Sequence, residues 1–346
     1  MREYEPFQEQ SRSPAARHGL PRRRPVLSLV RSAPPGPDPE IAAVLKQLQS
    51  LPCSSGLSPA EMRAAYSKSR SPLSGALEPV HSIQKLMIEG GIALTIFYPQ
   101  RTDNDGLPPG LLFFHGGGWT LGGLDTYEPF CRALANATRS ALIWVEYRLA
   151  PEARFPAAIE DAWTAAQWVQ QNALALHIDP ERIGIGGDSA GGNLAAVTAL
   201  AARDGLIAFA PAYQMLLYPC LDLTVSAPSH ERFATGYLLT AEVYRWYRMN
   251  YLPPHTPLKD WRVSPFFAAR FEGLPPSIIL SAGFDPLCDE DARYAQKLRA
   301  ANVEMVTINF PAMIHGFLTM RGMVTAAHTA VDRIAVALES LFRRDD

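Results

Sequence analysis

Gly187-Asp188-Ser189-Ala190-Gly191 is the stretch on which the fold reading turns. It lies between a short apolar run, Ile183 to Ile185, that reads as a buried strand, and a segment from about Asn193 whose apolar spacing predicts a helix. A serine on such a strand-to-helix turn adopts a strained backbone. Its neighbours must let strand and helix approach closely, which glycine permits because it has no Cβ. The following helix points its amino end at the turn, so its free N–H groups favour negative charge developing beside Ser189. The G-x-S-x-G spacing alone also suits a Gly-rich turn with a capping serine, so the surrounding strand and helix carry the reading.

Working outward, short apolar strands alternate with longer amphipathic segments. Strands are expected at Leu111 to Phe114, Ala141 to Tyr147, Ile183 to Ile185, Met215 to Tyr218, Ile278 to Ser281 and Val306 to Phe310. Helical patterns fall near 126–138, 157–175, 190–203, 287–300 and 325–343. A hairpin-like pair, Ile83 to Glu89 and Ile92 to Tyr98, joined through Gly90-Gly91, precedes them. Such alternation predicts an α/β class: a mostly parallel sheet, eight strands in all, with helices on both faces. Ahead of the sheet, Asp38-Pro39-Glu40 and Ser58-Pro59-Ala60-Glu61 mark the starts of two short helices. Residues 222–262 interrupt the rhythm with seven aromatics and no buried strand, so this insertion emerges at an edge of the sheet.

Three further loops fall where strands should end. His115-Gly116-Gly117-Gly118-Trp119 follows the strand at 111–114, and its glycines can turn backbone N–H groups into a cavity, as a developing oxyanion requires; the N–H of Ala190 completes a donor set. His115 itself reads as structural. Asp285 follows the strand at 278–281, whereas Asp289, Glu290 and Asp291 fall in the first turn of the next helix, where acids serve the helix dipole. Of the histidines after Ser189, His230 and His255 precede Asp285 and His328 lies inside the last helical pattern. His315, reached from the strand at 306–310 through a loop at 311–314, remains as the base, with Asp285 orienting it.

Composition excludes other classes. The chain has 346 residues, 47% hydrophobic and 19% charged, with 32 basic against 34 acidic side chains. A net charge of −2 provides no field to gather nucleic acid. The longest apolar runs, Ala141 to Val145 and Ile334 to Leu338 among them, are five residues, far shorter than the roughly 18 residues of a membrane span. Four scattered cysteines form no C-x-x-C pair, which suits free thiols in a reducing, cytoplasmic setting. Residues 1–37 carry seven Arg against three Glu and many prolines, and read as a disordered basic extension.

These motifs, together with Tyr147-Arg148-Leu149-Ala150-Pro151-Glu152, Phe155-Pro156-Ala157-Ala158, Asp285-Pro286-Leu287-Cys288-Asp289-Glu290 and His315-Gly316-Phe317, resemble the hormone-sensitive-lipase-like esterases, bacterial family IV, GDSAG subgroup, of the α/β-hydrolase superfamily. The likeness runs from about Asp38 to the C-terminus. It implies an α/β-hydrolase core at 81–221 and 263–346. A helical cap would be built from 38–80 and the insertion 222–262. The resemblance also implies oxyanion donors at Gly117, Gly118 and Ala190, a triad of Ser189, Asp285 and His315, and short acyl esters as substrates, with no metal or organic cofactor. Arg148 and Glu152 are expected to form a structural ion pair. A homodimer is carried forward as one option. Two rivals remain: a non-hydrolytic ligand-binding receptor on the same scaffold, and an amide or peptide hydrolase using the same serine.

Overall fold

A computed structural model of the chain describes residues 36–48, 57–100 and 106–342. Nearly all of the basic extension expected at 1–37, and Cys53, lie outside the described residues. Eight strands form one sheet: β1 (Ser82–Met87), β2 (Ala93–Tyr98), β3 (Gly110–Phe114), β4 (Ala141–Glu146), β5 (Ile183–Asp188), β6 (Gln214–Leu217), β7 (Ser277–Phe284) and β8 (Met305–Ile314). Their order is β1-β2-β4-β3-β5-β6-β7-β8. The pairs β1/β2 and β2/β4 are antiparallel and every other pair is parallel.

Period-two alternation explains how one sheet holds two cores. Leu112 and Phe114 of β3 and Ile143 and Val145 of β4 face one apolar cluster, whereas Leu111, Phe113, Leu142 and Trp144 face the other. Helices α4 (Ala157–Asn172), α5 (Ala190–Arg203) and α8 (Cys288–Ala300) pack on the first face. Helices α1 (Pro39–Leu48), α3 (Leu124–Thr138) and α9 (Thr325–Phe342) pack on the second. With both faces covered, the central strands read as unbroken apolar runs.

Helix α2 (Pro59–Ser74) starts on the expected capping box: the Ser58 hydroxyl accepts from Glu61 N–H while the Glu61 carboxylate accepts from Ser58 N–H at 2.8 Å. In the insertion, α6 (Ser229–Arg232) and α7 (Ala241–Tyr251) form instead of strands.

Three local expectations are corrected. Arg148 does not pair with Glu152; it binds the buried Asp161 at 2.6 Å and approaches Glu160 at 3.5 Å, whereas Glu152 binds Arg63 of α2 at 2.7 Å. Residues 147–156 are irregular, so a four-residue spacing does not put two side chains on one face as it would in a helix. Residues 311–314 are not a loop, because β8 runs on to Ile314 past a register shift against β7 between Ala282 and Phe284. Glu290 and Asp291, although in the first turn of α8, are buried; Glu290 accepts from the N–H groups of Leu221 and Asp222, which outweighs any service to the helix dipole.

Arg63 also donates to the carbonyls of Thr120 and Ala150, at 2.8 Å each, and so ties α2 to the core. Arg63→Met leaves those carbonyls unpaired, and we expect urea denaturation to show a loss of about 1–2 kcal/mol, most of it from the carbonyls and little from the exposed pair with Glu152.

Candidate active site

Parallel strands end on a common side, so the loops after β3, β5, β7 and β8 converge at their carboxyl ends. The structure brings together three residues far apart in sequence. His315 Nε2 lies 2.8 Å from Ser189 Oγ, and His315 Nδ1 lies 2.7 Å from Asp285 Oδ2. Asp285 is fully buried and its other oxygen accepts from Leu287 N–H at 2.8 Å. An ionised carboxylate can only accept, so Nδ1 carries the ring proton and Nε2 is left to accept from the serine hydroxyl.

Ser189 has φ 54° and ψ −118°, a backbone that L side chains rarely adopt. Close packing holds it there. A Cβ on Gly191 would lie 1.9 Å from the Phe114 carbonyl oxygen, so α5 can pass this near to β3 only with glycine at that position. Ser189 N–H donates to Leu217 O at 2.9 Å, and Ser189 O accepts from Cys220 N–H at 3.1 Å.

Among the described residues, the N–H groups of Gly117 and Gly118 have no hydrogen-bond acceptor. Ala190, first residue of α5, has an N–H with no intrahelical acceptor. Gly116 differs from its two neighbours: its N–H is already bound to Asp188 Oδ1 at 2.7 Å and to the Tyr127 hydroxyl at 3.1 Å. Gly118, at φ 59°, lies under the Tyr247 ring, where a Cβ would come within 2.1 Å. His115 stacks between Trp144 and Tyr147, with centroids 4.8 and 4.4 Å away, and its Nδ1 meets Gly116 O at 2.7 Å. Burial pushes its imidazole pKa down, which keeps the ring neutral. His328 lies in α9 against Arg321, away from these groups. His230 faces Glu290 at 3.3 Å.

Two contributors escaped the sequence reading. Asp188 reads only as a subgroup mark, yet its buried carboxylate joins the serine turn to the glycine loop through Gly116 and also accepts from Tyr127 at 3.0 Å. Asn193, inside α5, donates to the carbonyls of Cys220 and Val263 at 2.9 Å each, anchoring the segment after β6. Neither has a sequence signal, because each partner lies tens of residues away.

The site opens into a cavity of about 520 Å³. Ser189, Ala190, His315, Gly117 and Gly118 line its floor, and its walls include Met62 and Tyr66 of α2 and Val243, Tyr244 and Tyr247 of α7. Of the seven aromatics noted in the insertion, Tyr244 and Tyr247 reach the cavity. Among the described residues, no group of three or more His, Cys, Asp or Glu side chains is placed to hold a metal ion, and no helix is long and apolar enough to cross a membrane.

An α/β hydrolase is the class of protein that this sheet order and this meeting of loops define. The chain belongs to the alpha/beta hydrolase fold family, whose model matches residues 111–319, and within that superfamily it is one of the hormone-sensitive-lipase-like esterases. Carboxylesterase NlhH of Mycobacterium tuberculosis is 40% identical over 253 residues, 72% of this chain and 78% of the relative. Ethyl acetate hydrolase of Pseudomonas putida is 34% identical over 250 residues, again 72% and 78%. Among solved structures, the hyperthermophilic esterase of Pyrobaculum calidifontis superposes with a TM-score of 0.81 at 36% identity, covering 88% of this chain and 99% of that one.

Burial raises the Asp188 carboxyl to about 6, against the pull of its hydrogen bonds from Tyr127 and Gly116. A group raised on folding stabilises below its unfolded pKa of 3.8, and that contribution is lost as pH climbs through the folded value. The stability of wild type relative to Asp188→Asn should therefore fall by up to about 3 kcal/mol between pH 4 and pH 7, read from paired denaturation curves. Gly191→Ala, which forces α5 away from β3, should lower unfolding free energy by about 3 kcal/mol at pH 7.

Proposed function

We propose that this protein is a serine carboxylesterase acting through an acyl-enzyme on Ser189. The observation that carries the reading is the unbroken chain from Ser189 Oγ to His315 Nε2 at 2.8 Å and from His315 Nδ1 to Asp285 Oδ2 at 2.7 Å. As Ser189 Oγ attacks the ester carbonyl carbon, His315 takes its proton, and Asp285 holds the ring and stabilises the imidazolium. The carbonyl oxygen, now negative, is bound by the N–H groups of Gly117, Gly118 and Ala190. His315 then protonates the departing alcohol. Water, activated by the same ring, releases the acid and restores the serine.

The family and its esterase members support ester hydrolysis as the reaction. Segments 38–80 and 222–262 act as a cap over the core segments 81–221 and 263–346, a reading supported by α2 and α7 both lining the cavity. Likeness to the family favours short acyl chains, roughly butyrate to hexanoate, with Tyr244 and Tyr247 among the residues that line the cavity receiving them. The cytoplasmic setting is supported by the cysteines among the described residues, Cys131, Cys220 and Cys288, which are free thiols.

Ser189→Ala should reduce kcat/KM on 4-nitrophenyl butyrate by several orders of magnitude while leaving the circular dichroism spectrum unchanged. Equal rates in variant and wild type would remove Ser189 from the mechanism. In a chain-length panel, activity should peak at short acyl esters and fall on long-chain emulsions.

A further inference from the structure

One charged side chain in the cavity, Arg70, has no part in the chemistry above and has, among the described residues, two donors without partners. Arg70 lies on the face of α2 that lines the cavity, with Met62, Ala65, Tyr66 and Ser69, the three- and four-residue spacing of a single helical face. Its guanidinium carbon is 5.3 Å from the Tyr66 ring centroid. Its Nε and Nη1 are nevertheless buried and have no hydrogen-bond partner among the described residues. Arginine cannot shed its proton to escape such a position, and a buried donor left unmade is costly.

The other charged residues lining the cavity are accounted for. Asp188 is held by Gly116 N–H and the Tyr127 hydroxyl. Arg248 donates to the Leu223 carbonyl at 3.2 Å. Glu242 is likewise not without a partner. The neighbours that Arg70 has on its own helix face are mostly apolar, so an anion brought there would meet a fixed positive charge in surroundings that screen it poorly.

We propose that Arg70 recognises a free carboxylate on the substrate, so that the favoured substrates are esters carrying a second, ionised carboxyl group away from the scissile bond, such as a monoester of a dicarboxylic acid. This rests on the active-site reading above and adds a substrate class to it. Arg70 is a specificity residue: it binds the remote end of the substrate and moves no proton.

The test compares mono-4-nitrophenyl adipate with 4-nitrophenyl hexanoate, and, for a carboxylate on the alcohol side, 4-acetoxybenzoate with 4-tolyl acetate. Each pair is measured on wild type, Arg70→Gln and Arg70→Lys after subtraction of the uncatalysed rate. The ratio of kcat/KM for the anionic over the neutral ester should fall by about tenfold in Arg70→Gln, chiefly through KM, and take an intermediate value in Arg70→Lys. The pair that shows this fall tells which side of the ester carries the carboxylate. Addition of 0.5 M NaCl should lower the ratio in wild type and leave it unmoved in Arg70→Gln. A ratio that is the same in all three proteins for both pairs overturns the inference, and if the neutral esters are still cleaved in a Ser189-dependent way, the esterase reading survives it. Should no ester be cleaved through Ser189, that reading fails and binding decides the matter. Monomethyl adipate should then raise the Tm of wild type more than that of Arg70→Gln, and equal shifts count against Arg70.

Discussion

The site depends on one strained residue. Ser189 is kept at φ 54° because α5 is pressed against β3 through Gly191, while the Leu217 carbonyl receives its N–H. A relaxed backbone there would carry Oγ away from His315 and tilt the amino end of α5 away from the turn. The strain is local and the restraint is not, since β3, β5, β6 and α5 all take part. That agrees with the general rule that unfavourable backbone conformations persist only where the surroundings over-determine them.

Asp188 extends this restraint to the glycine loop. By binding Gly116 N–H it fixes the loop one residue before the two N–H groups that remain unspent, so Ser189 and those N–H groups are held as one unit. A buried carboxyl is a costly tie. Its elevated pKa shows that burial outweighs the hydrogen bonds offered to it. On the far side of the loop, His115 uses ring stacking and a bond to its own neighbour's carbonyl, so its role is to shape the turn while it stays neutral. Two acidic or basic side chains adjacent to the site thus serve as scaffolding, and in the proposed mechanism proton transfer falls to His315.

The cavity is assembled from segments that have no reason to meet in sequence order. Helix α2 is clamped to the core by Arg63, and α7 brings Tyr247 down onto Gly118. Both helices therefore wall the cavity that leads to Ser189. On the proposed reading this is a division, with chemistry on the ends of sheet strands and selection on helices that wall the cavity, which lets substrate choice vary while the reacting groups keep their geometry. Arg70 is on the selecting side of that division.

Much of this was legible in the sequence. The strands, most helix boundaries and the loops bearing Ser189, Asp285 and His315 follow from apolar periodicity, glycine placement and chain order, because these are short-range properties: a strand buried on both faces must be apolar throughout, and a tight turn must be glycine-rich. The partners of charged side chains were not legible. Arg148 and Glu152, four residues apart, each bind a residue elsewhere, Asp161 and Arg63. Glu290 left the helix dipole for the backbone at 221 and 222. Asp188 found Gly116 across 72 positions. A charged group settles wherever folding leaves an unpaired donor or acceptor within about 3 Å, and that distance is set by how whole elements pack. Sequence alone determined which loops bring Ser189, Asp285 and His315 to the ends of their strands; tertiary structure decided which polar atoms satisfy one another and which, at Arg70, find no partner among the described residues.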